Sequence, residues 1–190
     1  MSIDLLDCTN LDCESELPPV SFDPCNTSIK YNEIEFIYLM NEGYPFTNWT
    51  DPAEWAARLS MDSSDPNAVR RLTVRGTLDV EPGDRTRIAG GRFIPLPATY
   101  TLTGLVDDNN QINYDFMRAL SCNRPLRAFF QTTDGDLYSG TGANGGNLGI
   151  AVVMTGYENI TDDFESFRPL MVEGEWQSVA APLRIPSPIA

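Results

Sequence analysis

Residues 98–106 read ATYTLTGLV, and the period of this stretch decides the fold. Thr99, Thr101 and Thr103 take every second position, with Tyr100 and Leu102 between them. Side chains of a strand alternate between two faces, so this pattern predicts a strand with one polar and one apolar side. Working outward toward the N-terminus, residues 69–80 (VRRLTVRGTLDV) predict another strand. There Val69, Leu72, Val74 and Leu78 oppose side chains that face water or a partner, with an irregularity expected at Gly76. Further back, residues 29–40 (IKYNEIEFIYLM) are rich in β-branched and aromatic residues, a strand composition. Toward the C-terminus, residues 127–133 and 136–139 flank Asp134-Gly135 and read as a hairpin. GIAVVMTGY (149–157) reads as a strand buried on both faces, and PLMVEGEWQSV (169–179) as the last strand.

Two short helices interrupt this β pattern. Asp51-Pro52-Ala53-Glu54 supplies a cap, a first-turn proline and a glutamate able to reach back to the cap amide, predicting a helix over 52–60. Asn113 is the expected cap of a second helix over Tyr114–Ser121, with Phe116 and Leu120 on one face. The expected organisation is mainly β: a sandwich or barrel of six to eight strands over 29–180, an extended N-terminal arm over 1–28, and a proline-punctuated C-terminal tail over 181–190. The stretch 81–97, rich in Pro and Gly and carrying Arg85, Arg87 and Arg92, is expected to be a long loop or a loose hairpin.

Composition limits the function classes. With 27 acidic against 13 basic residues the net charge is -14, which repels nucleic acid and anionic lipid at a distance. Lys30 is the only lysine, so nearly all cationic side chains are arginines, the residue suited to bidentate contacts between protein surfaces; a biased genome would produce the same composition. The absence of histidine removes the side chain most used for proton transfer near neutral pH and weighs against catalysis. No stretch is apolar enough to span a membrane, and the acidic first twenty residues are unlike a secretory signal, so the chain is expected to stay in the compartment where it is made or to leave inside a released assembly. On that expectation the glycosylation tripeptides at Asn26, Asn48 and Asn159 carry no meaning.

Several local patterns invite chemistry. Gly140-Thr141-Gly142-Ala143-Asn144-Gly145 matches spaced dinucleotide-binding glycines, but a β run follows where a helix is required, so a hairpin tip accounts for it better. Asp107, Asn109 and Gln111 begin like a calcium loop that lacks its glycine and has Arg118 where the closing carboxylate belongs. Asp134, Asp136, Asp162, Asp163 and Glu165 offer paired carboxylates, which a chain this acidic produces by chance. Cys8, Cys13, Cys25 and Cys122 lack the short paired spacing of zinc sites; unlinked thiols are the default, with zinc or disulfides as alternatives. Tyr44, Phe46, Trp49 and Trp55 read as a plug at one end of the β structure rather than as a binding anchor, and Trp49 or Trp176 would serve a ligand-binding module if exposed. No cofactor or metal is expected.

Taken in order, the arm, the strand near 69–80, the long loop, ATYTLTGLV, the helix 114–121, the hairpin RAFFQTTDGDLYSG (127–140) and GIAVVMTGY resemble the tail-tube protein family of tailed bacteriophages and related contractile injection machines. The resemblance spans residues 29–179 as an order of elements and has no diagnostic motif. It implies a non-enzymatic virion protein, made in the host cytoplasm, whose subunits form hexameric rings that stack. Its partners would be copies of itself and other virion proteins, with DNA passing only transiently. By position, the resemblance implies inter-subunit contacts from the arm with Cys8, Cys13 and Cys25, and from the loop with Arg85, Arg87, Arg92 and Phe93. The cysteine-bearing arm has no counterpart in the family pattern. Head-decoration, connector and baseplate proteins share the same class, while a ligand-binding β module and a carboxylate hydrolase remain as readings of other classes.

Overall fold

The computed structural model describes residues 33–62, 64–88, 93–122, 125–141, 145–158 and 169–189. In chain order these form β1 (Ile34–Asn41), α1 (Pro52–Leu59), β2 (Arg70–Glu81), β3 (Arg85–Arg87), β4 (Phe93–Pro95), β5 (Ala98–Val106), α2 (Gln111–Leu120), β6 (Leu126–Thr132), β7 (Asp136–Ser139), a 3-10 turn at Gly145–Leu148, β8 (Ile150–Glu158), β9 (Leu170–Ser178) and β10 (Leu183–Pro186). The mainly β expectation holds. The alternating stretch 98–106 is β5, with Tyr100, Leu102, Gly104 and Val106 turned inward.

Six strands close into an antiparallel barrel in the order β1-β2-β5-β9-β8-β6, with β6 returning to pair with β1. Closure leaves no open edge among these strands. The far edge of β6 is divided: Leu126–Ala128 pair with β8, while Phe130 and Gln131 pair with β7. The sheet therefore splays away from the barrel into a lip, which β10 completes by pairing with β7. The irregularity expected at Gly76 is present, since Ile34 pairs with Gly76 but Phe36 pairs with Thr73.

Two cores lie on either side of the β1–β6 wall. The barrel interior holds Ile37, Leu39, Leu72, Leu102, Phe130, Val152, Val172 and Trp176 among others, with Met117 and Leu120 of α2 packed in. Outside that wall, Tyr38, Met40, Phe46, Trp49, Trp55, Val69, Phe129 and Leu137 form a second cluster under α1. Three members of the expected aromatic plug are buried there, whereas Tyr44 is exposed. Here β1 and β6 are the strands buried on both faces, with Tyr38 and Phe129 outside and Ile37 and Phe130 inside the barrel. The same was expected of GIAVVMTGY, but β8 alternates: Val152 and Met154 face the core while Val153 and Tyr157 face solvent. Its run of apolar residues hid the period, because Ala151 and Val153 are small enough to sit on an uncovered face without a large penalty.

The caps differ in detail from the sequence reading. Asp51 caps α1 through Ala53 N–H, but Glu54 does not reach the cap amide; its two oxygens accept from the Thr47 and Asn48 amides and it pairs with Arg58 at 2.9 Å. Asn110, not Asn113, caps α2, accepting from Asn113 N–H at 2.9 Å, so the helix begins one turn earlier. Asn110 competed with several equivalent polar residues in 107–113, and sequence alone does not rank them. Gly156 explains why α2 sits where it does. A Cβ there would lie 3.0 Å from the Met117 Cα, and the gap lets the helix backbone approach β8. The stretch 181–190, expected to be a tail, contains β10; Ser187 N–H donates to Gly135 O at 2.7 Å, and Ile185 and Ile189 pack on the second cluster. Pro182 and Pro186 bracket this lip strand, limiting its capacity to recruit a further strand.

Tyr38 belongs to the second cluster. Its hydroxyl donates to Gln131 Oε1 at 2.9 Å, and burial pushes its pKa up to about 12. The neutral phenol is favoured in the folded state, so stability is full below the ordinary tyrosine pKa and is lost as pH rises from 10 toward 12. A two-unit shift corresponds to about 3 kcal/mol. Chemical unfolding at pH 9 and near pH 12 is expected to show a drop of that order, and Tyr38→Phe is expected to remove most of it.

Candidate functional site

Two features remain after the cores are accounted for: a hairpin that leaves the barrel, and a barrel wall that no described element covers. The hairpin is β3–β4, whose strands, among the described residues, pair only with each other (Arg85 with Pro95, Thr86 with Ile94, Arg87 with Phe93). It continues the line of β2 beyond Glu81 and returns to β5. Its base is pinched at Gly83, where a Cβ would lie 2.2 Å from Leu96 O and 2.4 Å from Pro97 O, and Leu96 N–H closes the neck on Asp84 O. Ile88, Ile94 and Leu96 are 36%, 44% and 43% exposed, so the described part of the hairpin leaves its large aliphatic side chains open. Opposite residues of a pair share a face, which puts Ile94 with Thr86 on one side and Arg85 and Arg87 on the other.

The uncovered wall is the outer face of β2, β5, β9 and β8. Its cross-strand rows are Glu81, Thr99 and Gln177; Asp79, Thr101, Glu175 and Val153; Thr77, Thr103, Glu173 and Thr155; and Arg75, Leu105, Met171 and Tyr157. Hydroxyls and carboxylates dominate three of the four rows. In the last row Arg75 is bound by Asp107 at 2.7 Å, which raises its pKa. Tyr157 donates to Glu173 Oε1 at 2.8 Å, and that hydrogen bond pushes the phenol pKa up. The surface is thus anionic and finely corrugated, without an aromatic platform.

Of the residues expected to make contacts, Arg85 and Arg87 stand exposed on the hairpin and Phe93 begins β4. Arg92, Cys8, Cys13 and Cys25 lie outside the described residues, as do Asp162, Asp163 and Glu165. Cys122 is an exposed free thiol beyond α2. The calcium-like residues are engaged otherwise: Asp107 holds Arg75, Asn109 donates to Glu158, and Gln111 opens α2 and donates to Asp115. The glycine-rich segment leads into the 3-10 turn and β8, so among the described residues no α-helix opens there to receive a pyrophosphate. Trp49 and Trp176 are each 8% exposed and form no ligand platform. Among the described residues no group of three potential ligands is placed to hold a metal ion.

Two cavities indent the barrel. One, of about 140 Å3, opens between the start of β8 and the end of β9, lined by Arg127, Ile150, Trp176 and Pro182. The other, of about 240 Å3, lies where α2 crosses the opposite end, lined by Leu39, Met40, Ala68, Phe116, Ala119 and Leu126, with Asp65 and Arg70 beside them. Both fall below the roughly 300–1,000 Å3 of common small-molecule sites. Neither combines two carboxylates. The uncovered wall went unnoticed as a surface in the sequence, although the threonine alternation in 98–106 carried its signal. The larger cavity had no local signal, because its lining comes from four separated segments.

The class defined by this geometry is a closed six-stranded antiparallel barrel with a helix at one end and a hairpin projecting from the other. Comparison with known protein families, with curated proteins and with solved structures finds no match.

Proposed function

We propose that the chain is a virion structural protein that assembles with copies of itself into stacked rings, as the tail-tube proteins it resembles do. The observation that carries this reading is the β3–β4 hairpin. Among the described residues its strands pair with no barrel strand, and Ile88, Ile94 and Leu96 on it remain exposed. Exposed apolar side chains on an ordered element are stabilised when a partner covers them. Its place between two barrel strands, followed by a helix and a second hairpin, is the element order on which the resemblance rests.

The uncovered wall supports the same reading. Four strands of threonine and carboxylate, turned toward a ring's lumen, repel a phosphate backbone and offer no counterion-releasing contacts, so DNA passes without being held. No reaction, cofactor or membrane is part of this proposal, and its partners are further copies and other virion proteins. The ligand-module reading loses its footing with the burial of Trp49 and Trp176.

Gly83→Val tests the role of the hairpin without touching the barrel. The added side chain meets the Leu96 and Pro97 backbone and forces the neck open. Mass photometry across a concentration series is expected to show higher-order species for the wild type and monomers for the variant, with unchanged circular dichroism. Equal assembly by both proteins would refute the hairpin as the carrying contact.

A further inference from the structure

Among the described residues one buried side-chain donor has no acceptor: the Nε–H of Arg127, on β6. The far end of the same guanidinium is anchored, since Nη2 donates to Glu42 Oε1 at 2.7 Å. Arg127 pairs across the sheet with Met40 of β1 on one side and with Ala151 of β8 on the other. Glu42 follows β1, so the ion pair lies toward that strand. The smaller cavity, which Arg127 lines together with Ile150 and Ala151, lies toward β8.

The wall of this cavity departs from the composition of the chain. The sequence carries 27 acidic residues against 13 basic, yet among the described residues Arg127 is the one charged side chain lining the space, and no carboxylate does. Apolar groups supply much of the rest. Trp176, stacked on Tyr100 at 5.1 Å between ring centroids, lines it with Ile150 and Pro182. A buried cationic donor without an acceptor destabilises its surroundings until an acceptor arrives, and a guanidinium matches a carboxylate best.

We infer that the cavity between β8 and β9 is a binding site for a short-chain monocarboxylate, which accepts from Arg127 Nε and lays its carbon chain against Trp176 and Ile150. Charge selects the monoanion over phosphate. Glu42 already offsets part of the Arg127 charge and the chain carries -14, so a dianion would meet a half-neutralised cation inside a repelling field. A volume of about 140 Å3 admits only a few carbons, and the apolar wall favours hydrocarbon over further oxygens. Every lining residue comes from one chain, so the site stands apart from the self-assembly proposed above.

Saturation-transfer NMR on the full chain at fixed ionic strength, with butyrate as the probe, tests this. Butyrate is expected to give a saturable signal, its neutral counterpart butyramide none, and an excess of phosphate is expected to leave the butyrate signal unchanged. Arg127→Lys keeps the charge but loses the planar fork, and is expected to weaken butyrate binding by at least about tenfold. Ala151→Glu, at an exposed position directly across from Arg127, supplies an acceptor from the chain itself and is expected to abolish the butyrate signal. This second variant carries the test if Arg127→Lys does not fold. No saturable signal from the folded wild type would mean that water alone serves Arg127, and the site would be overturned. Equal binding of butyramide, displacement by phosphate, or unchanged butyrate affinity in folded Ala151→Glu would each overturn the carboxylate assignment.

Discussion

Trp55→Ala is expected to cost at least about 4 kcal/mol of unfolding free energy, the cost of deleting a fully buried aromatic side chain. Trp55 is 0% exposed. Its ring centroid lies 4.4 Å from Phe46, 5.1 Å from Phe129 and 5.2 Å from Tyr38, so it joins α1 to β1, β6 and the 42–50 segment at once. Its indole N–H donates to the Trp49 carbonyl at 2.7 Å in a buried setting. The alanine variant therefore leaves both a cavity and an unpaired carbonyl, and the two costs add. Urea unfolding of the purified variant checks this. Trp55→Phe refills most of the volume and is expected to recover more than half of the loss, leaving the missing hydrogen bond. A loss under about 1 kcal/mol for the alanine variant would mean that the second cluster is not a cooperative core.

Arg58→Met is expected to be the next most damaging change, at about 3 kcal/mol, toward the low end for breaking a buried ion pair. Arg58 is a charged residue only 8% exposed, and its guanidinium is used on every side. It donates to the Tyr44 and Pro45 carbonyls at 2.8 and 2.6 Å, pairs with Glu54 at 2.9 Å, and lies 4.3 Å from the centroid of the Phe46 ring. Methionine preserves the stem's packing, so the measured loss isolates the polar contacts. Glu54 keeps the Thr47 and Asn48 amides, which limits the damage to the arginine's own partners. The same denaturation experiment reads the effect, and a neutral result would show that the carbonyls find water instead.

Much of the architecture was legible because it is written with a period of two. The stretch 98–106 announces its inward face residue by residue; 69–80 does so for Leu72, Val74 and Leu78, whereas Val69, expected with them, lies before β2 and joins the second cluster outside the barrel, and the Asp134-Gly135 turn fixes the hairpin between β6 and β7. The β8 strand misled because its outward positions are filled by Ala151, Val153 and Tyr157, so polarity did not mark the solvent side. Barrel closure was beyond local reading: it depends on β6 pairing with β1 across nearly ninety residues, and nothing in either strand names its partner. β10 was missed because Pro182, Pro186 and Pro188 suppress a strand assignment, although an edge position tolerates them.

The candidate surfaces divide in the same way. The hairpin was visible as a Pro- and Gly-rich interval between two strong strands, and Arg85 and Arg87 fell on it as expected. Its significance comes from what the described fold leaves open: Ile94 and Leu96 are 44% and 43% exposed. The cavity under α2 draws on β1, the 65–70 segment, α2 and Leu126, so it exists only once the chain has closed into a barrel. Function in this reading lies in surfaces left uncovered, and sequence patterns report covered faces far better than uncovered ones.

The central claim is that identical subunits build a closed, stacking assembly. Negative-stain electron microscopy of the purified full chain over a range of concentrations tests it most directly. The account predicts ring-shaped particles with a central hole at moderate concentration and stacks of such rings at high concentration. Uniform particles of single-subunit size at every concentration would contradict it.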